Sequence, residues 1–197
     1  MLLRFELAPY MQADGPETKR GVADLTSQRW DIFKASERFM AMDEAAWARH
    51  ANPLSVYSRF SILPLMSLAI WSRVWIGWWA VAAVALVVLW TWWNPRAFGP
   101  PASTHGWASR GTFGERVFLN RKSLPVPHHH VVWAKLLTGV SAVGIVPWIY
   151  GLWALDLSAV LLGLALIVGG KTWFVDRMVW LYQDMKDQDP TYASWLR

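Results

Sequence analysis

Apolar residues along this chain run in long blocks rather than alternating with polar ones. The block "VWIGWWAVAAVALVVLWTWW" (74–93) continues for twenty residues without a charge. As a helix rising about 1.5 Å per residue it would reach about 30 Å, the thickness of a bilayer core. Two more blocks share this character, "LLTGVSAVGIVPWIYGLWAL" (136–155) and "LSAVLLGLALIVGGKTWFV" (157–175). A fourth, 54–72, contains Arg59, and thirteen uncharged residues separate that arginine from Arg73. It crosses a bilayer if Arg59 snorkels its guanidinium to the headgroups, and is otherwise a re-entrant segment.

The pattern predicts an all-α fold: a polytopic membrane bundle of four transmembrane helices in two hairpins, with interfacial or cytoplasmic helices. Blocks 54–72 and 74–93 meet at Arg73 almost without a loop, and 136–155 and 157–175 meet in the same way at Asp156. Both turns then face one side, leaving the N-terminal segment, the connection 94–130 and the tail on the other. Residues 40–187 form the membrane domain in this reading, 1–39 an N-terminal extension and 188–197 a C-terminal tail. Segment 24–51 reads as surface helices and 94–106, rich in Pro and Gly, as irregular. Segment 107–122 suits a short interfacial helix, and "SLPVPHHH" returns to the membrane in extended form. Phe174, Met178, Leu181 and Met185 fall on one helical stripe, so the last helix is expected to continue as an amphipathic arm.

Composition supports the membrane reading. Hydrophobic residues make up 54% of the 197, charged residues only 17%, and a soluble domain this short could not bury so much apolar surface. The 16 tryptophans cluster at block ends, as aromatic belts do at membrane interfaces. An aromatic cofactor pocket is the competing account. There is no cysteine, which excludes disulfides and thiolate chemistry, and the opening residues lack the sustained apolar run of a signal peptide.

Charge orients the bundle. Of the 19 basic residues, Arg73 alone falls at the turn side. The positive-inside rule therefore places both termini and the long connection in the cytoplasm. The net charge of +5 flanks apolar blocks, which points to anionic lipid headgroups and not to nucleic acid.

Four features invite chemistry. "ALIVGGKT" (165–172) matches the loose form of a phosphate-binding loop. Its loop positions, however, are Leu166, Ile167, Val168 and Gly169, and too little chain follows for a nucleotide-binding sheet. No nucleotide is expected, and Ala165 and Gly169 read as a small-xxx-small pair where two membrane helices approach closely. Asp176 and Arg177 stand at a helix end as anchors or ion-pair partners, with Arg59 a partner for Asp176. In "HHH", His128 and His130 could offer alternate imidazoles to a metal from an extended segment, or form a hydrogen-bonded interfacial cluster. Glu115, Arg116, Arg121 and Lys122 could hold a phosphate headgroup, or simply attract anionic lipid.

The stretches "DEAAWARHANPLSVYSRFSILPLMSLAIWSR" (43–73), "SRGTFGERVFLNR" (109–121), "VPHH" (126–129) and "KTWFVDRMVWLYQDM" (171–185) resemble a family of small bacterial membrane proteins catalogued as a domain of unknown function. The resemblance covers about 40–187 and implies a multi-pass membrane protein without transferring an activity. The span interiors hold almost no ionisable groups, which leads to a non-catalytic accessory or assembly protein packing with a membrane partner or with its own copies. The alternative is an interfacial lipid- or metal-binding enzyme whose site draws on His50, Glu115, Arg116, Arg121, His128, His130, Asp176 and Arg177.

Overall fold

A computed structural model describes residues 43–197; the expected extension 1–39 and most of the expected helices in 24–51 lie outside them. Among the described residues the chain forms only helices and their connections. It opens with α1 (Glu44–His50), capped by Asp43, whose carboxylate accepts the Ala46 N–H at 2.6 Å. After two residues α2 (Pro53–Arg59) starts on a proline, a residue suited to a first turn. There follow α3 (Ile62–Trp71), the single turn α4 (Arg73–Ile76), a 3-10 turn Gly77–Trp79 and α5 (Ala80–Ala97). Then come α6 (Trp107–Leu119), α7 (His128–Ala154), α8 (Leu157–Met185) and the short α9 (Pro190–Ala193).

Three segments are long and apolar enough to cross a membrane: Pro53–Ala97, His128–Ala154 and Leu157–Met185. The first is interrupted. Gly77 adopts φ +55°, a left-handed conformation that glycine tolerates and other residues rarely adopt. The expected helix 74–93 is therefore displaced: it begins at Ala80 and runs on to Ala97. Residues on either side of the interruption meet. The Asn94 amide donates to Ser58 Oγ at 2.6 Å and accepts from Ser55 Oγ at 3.2 Å, with Asn94 fully buried.

Helices α7 and α8 pack along their length through glycines. A Cβ at Gly163 would lie 2.5 Å from the Trp148 backbone, and one at Gly170 2.5 Å from Ser141 Oγ. Gly144 and Gly151 on α7 are as tightly opposed, by Leu166 and Val160. The expected small pair takes no part in this contact. Ala165 and Gly169 are exposed, and nothing lies within 4 Å of a Cβ built on Gly169. They sit two and six residues after Gly163, on a different face of the 3.6-residue helix.

The turn after α7 carries Leu155 in the left-handed conformation, and Asp156 caps α8 by accepting the Ala159 N–H. Arg73 reaches this turn, donating to the carbonyls of Leu152 and Trp153. A cation at those carbonyls complements the helix dipole. Ser67 adds a second tie by accepting the Trp148 indole N–H at 2.9 Å.

The last helix does continue, and its stripe is fully used: Phe174, Met178, Leu181 and Met185 are all buried. Much of the cover is α6, which is no surface-lying helix. Ala108, Ser109, Gly111, Thr112, Phe113, Gly114, Val117 and Phe118 are buried. A Cβ at Gly114 would fall 1.8 Å from the Met178 carbonyl oxygen, so backbone packs on backbone there. One further expectation changes. Residues 128–130 are the first turn of α7, because Pro127 sets the extended N-cap conformation from which a helix starts. The tail folds back: Trp195 lies against Phe113, Tyr182 and Tyr192, and the Tyr182 hydroxyl donates to the Tyr192 carbonyl at 2.8 Å.

Candidate functional site

The polar residues of the fold gather where α1, α2, α6 and the second half of α8 come together. The framework is a set of side chains satisfying the open carbonyls at the end of α1. Ser109 Oγ donates to the Ala51 carbonyl at 2.6 Å. Thr112 Oγ1 and Arg59 Nη2 approach the His50 carbonyl at 3.4 and 3.3 Å. Arg59 Nε also donates to the Ser55 carbonyl at 3.0 Å, which fixes its guanidinium back along α2.

Beside this framework lies a cavity of about 130 Å³, lined by Val56, Arg59, Phe60, Thr112, Glu115, Lys171 and Val175. Lys171 Nζ donates to Glu115 Oε1 at 2.5 Å and rests over the Phe174 ring. Burial pushes the Glu115 carboxyl up, but Lys171, by charge and hydrogen bond, and then Arg59 and His50 outweigh it, so the group is held below its ordinary value. It is a carboxylate at neutral pH. His50 stands nearby, 5% exposed, with its Nδ1 buried and unpartnered. Burial first, then the Arg59 charge, lowers it to about 4, so its ring is neutral at pH 7.

Arg59 makes no ion pair with any described residue. Asp176, its expected partner, instead accepts the Trp107 indole N–H at 3.2 Å and meets Arg177 at 3.4 Å. The other candidates also divide into separate pairs. Arg116 bonds Glu44 and stacks over Trp195 at 4.4 Å. Arg121 donates to the Phe118 carbonyl at 2.7 Å and lies over its ring at 4.3 Å. Of the expected headgroup set, only Glu115 lines the cavity; its cations come from α2 and α8 instead.

The histidines form a second group. His130 is 3% exposed and its Nε2 lies 2.8 Å from Asp184 Oδ2. His129 stacks on it at 4.1 Å between ring centroids. The ligand atoms of His129, His130 and Asp184 lie within 4.8 Å of one another, a set that could hold a metal ion. This replaces the alternate pair of an extended strand: with helix starting at His128, that histidine is outside the group.

Sequence reasoning missed Asp184, Asn94 and the role of Arg59. The first two carried weak signals: Asn94 closes an apolar block, and Ser55 and Ser58 stand one helical turn apart on α2. Nothing local marked Asp184 as the partner of a histidine 54 residues earlier.

Comparison with known families matches residues 34–195 to a family of unknown function (DUF6653). The match is wider at both ends than the resemblance read over 40–187 and takes in 34–39, which had been set apart as extension. No curated protein and no solved structure matches the chain.

Proposed function

The chain belongs to this family of unknown function, and on that premise we propose that it is a non-catalytic accessory or assembly protein of a membrane. In this reading Pro53–Ala97 crosses twice and α7 and α8 once each, giving four crossings in two hairpins. The bonds of Asn94 to Ser55 and Ser58, and of Arg73 to the end of α7, support that arrangement. The first set draws the opening segment back on itself, and the second ties Arg73 to the end of α7. The positive-inside rule then puts the termini in the cytoplasm, and a bacterial inner membrane fits the resemblance read from the sequence.

The observation that carries the accessory reading is what the chain leaves uncovered. Ala165 and Gly169 are exposed in the middle of a long apolar helix, a surface on which another helix can approach closely. Around it the large apolar side chains point outward, among them Leu161, Leu162 and Trp173 at 51–56% exposure. Of the polar candidates for catalysis, Arg116, Arg121, Asp176 and Arg177 are taken up by other contacts, and His50 and Glu115 stand apart from them. That division weakens the enzyme alternative, which needs them to converge on one substrate.

The test is native mass spectrometry of the protein extracted gently from its own membranes, beside a Gly169→Leu variant. A stoichiometric protein partner or a homo-oligomer, lost in the variant while the monomer still melts normally, is the expected result. A protein that is monomeric in both forms would overturn the reading.

A further inference from the structure

The cavity beside Arg59 goes beyond that reading and stands independently of it. Two cations, Arg59 and Lys171, and one carboxylate, Glu115, line it, so its formal charge is +1. Arg59 is anchored through Nε and Nη2 to two backbone carbonyls. No carboxylate reaches it within ion-pair distance among the described residues, leaving the rest of its planar donor fork without an anion. Guanidinium forks of this kind match phosphate oxygens. Lys171 adds a second cation, half-exposed and shared with Glu115.

Glu115 restricts which phosphate fits. A bare phosphate dianion would face a carboxylate, whereas a singly charged phosphodiester neutralises the +1 lining. Hydroxyl groups carried by the headgroup would then donate to Glu115. The apolar part of the lining, Val56, Phe60 and Val175, belongs to α2, α8 and the turn after α2. Both helices lie in the segments able to cross a membrane, so a ligand with acyl chains can enter from that side. About 130 Å³ is close to the ~150 Å³ of a cavity that accepts a benzene-sized molecule. That is room for a phosphate and the first atoms attached to it.

We propose that this cavity binds the headgroup of an anionic phosphodiester lipid bearing hydroxyls, the phosphate held by Arg59 and Lys171 and the hydroxyls by Glu115. The chemistry shared with soluble phosphate esters makes the source of the ligand part of the test. Full-length protein in a maltoside detergent would be titrated with phosphatidylglycerol, phosphatidylmethanol, phosphatidylcholine and glycerol 3-phosphate. Bound lipid would be counted by native mass spectrometry.

Saturable phosphatidylglycerol binding is expected, at least fivefold tighter than phosphatidylcholine. Arg59→Gln and Lys171→Gln should each weaken it about tenfold, and Arg59→Lys, which keeps the charge but loses the donor fork, about fivefold. Lys135→Gln, an exposed cation on α7 outside the cavity, should change it less than twofold. Glu115→Gln should abolish the preference for phosphatidylglycerol over phosphatidylmethanol, which has the same charge and no hydroxyl. Melting curves of the lipid-free variants separate lost binding from lost folding. Glycerol 3-phosphate binding as tightly as the lipid would overturn the lipid assignment. Binding that follows neither Arg59 nor Lys171, or equal binding of phosphatidylcholine, would overturn the site itself.

Discussion

Helix α6 with the second half of α8 and helix α5 are the two extremes of this molecule. In the first, Gly114 lies backbone to backbone with Met178, and Phe118, Met178, Leu181 and Tyr182 are all at or below 2% exposure. In the second, Val81, Leu86, Val88, Leu89, Trp92 and Trp93 are more than half exposed. The more apolar of the two is the less buried, so hydrophobicity alone does not decide which region closes. What differs is whether the chain supplies the opposing surface. Where it does, small residues sit at the contact and polar groups bond across it; where it does not, large side chains face outward to whatever solvent the bilayer or a partner provides.

The sharpest break in this contrast is a single methyl group. Gly114→Ala should destabilise the protein by about 3 kcal/mol or more, because no side-chain movement relieves a clash with backbone. Gly169→Ala, where nothing opposes the added carbon, should leave the melting temperature within experimental scatter and serves as the same-chemistry control. If both variants melted alike, the packing at α6 would be looser than described.

Acid should weaken the closed region next. His50 is held at about 4 against an ordinary 6.5, so the unfolded chain takes up its proton first. Its contribution is complete above pH 6.5 and is lost as pH falls toward 4, by an amount on the order of 3 kcal/mol. Melting temperature between pH 7 and pH 4.5 should fall in the parent and fall less in His50→Gln. Equal slopes would show that His50 is protonated at no cost.

The first apolar segment should respond less. Asn94→Ala strands Ser55 and Ser58 and should cost about 1–2 kcal/mol, read as an earlier thermal transition in detergent. Arg73→Gln removes the cation at the end of α7 and should cost about 0.5–1 kcal/mol. An Arg73→Gln variant less stable than Gly114→Ala would invert the contrast and make the turn end, not the α6 end, the mechanical centre of the fold.

Much of the helical content was legible because it rests on period and length. The stripe Phe174, Met178, Leu181 and Met185 fell on one face and is buried, and the apolar blocks became helices, although 54–72 is split, 74–93 is displaced to Ala80–Ala97, and the last two run longer than their blocks. Burial of α6 was not legible for a physical reason. Five of its eight buried residues, Ala108, Ser109, Gly111, Thr112 and Gly114, are small or weakly polar, and suited to how near a backbone can come rather than to transfer from water. Hydropathy has no signal for that. The cavity was half legible: Glu115 and His50 stood out as polar groups, but Arg59 read as a snorkelling side chain and Lys171 as part of an apolar block, since only the fold shows that α2 and α8 bring them together. Asp184 could not be paired with His130 from spacing, because the pairing depends on how α7 and α8 align.

Arg73 also sets a timetable. Its acceptor at Leu152 lies 79 residues further along the chain. At ~5–20 residues per second of synthesis, roughly 4–16 s pass before that carbonyl exists. Throughout that interval the nascent α3–α5 stretch carries a guanidinium that has the Ile70 carbonyl beside it but not yet its acceptors at the end of α7. Insertion of this protein is therefore a process with a late latch, and a ribosome stalled before Trp153 would leave the first segment unfastened.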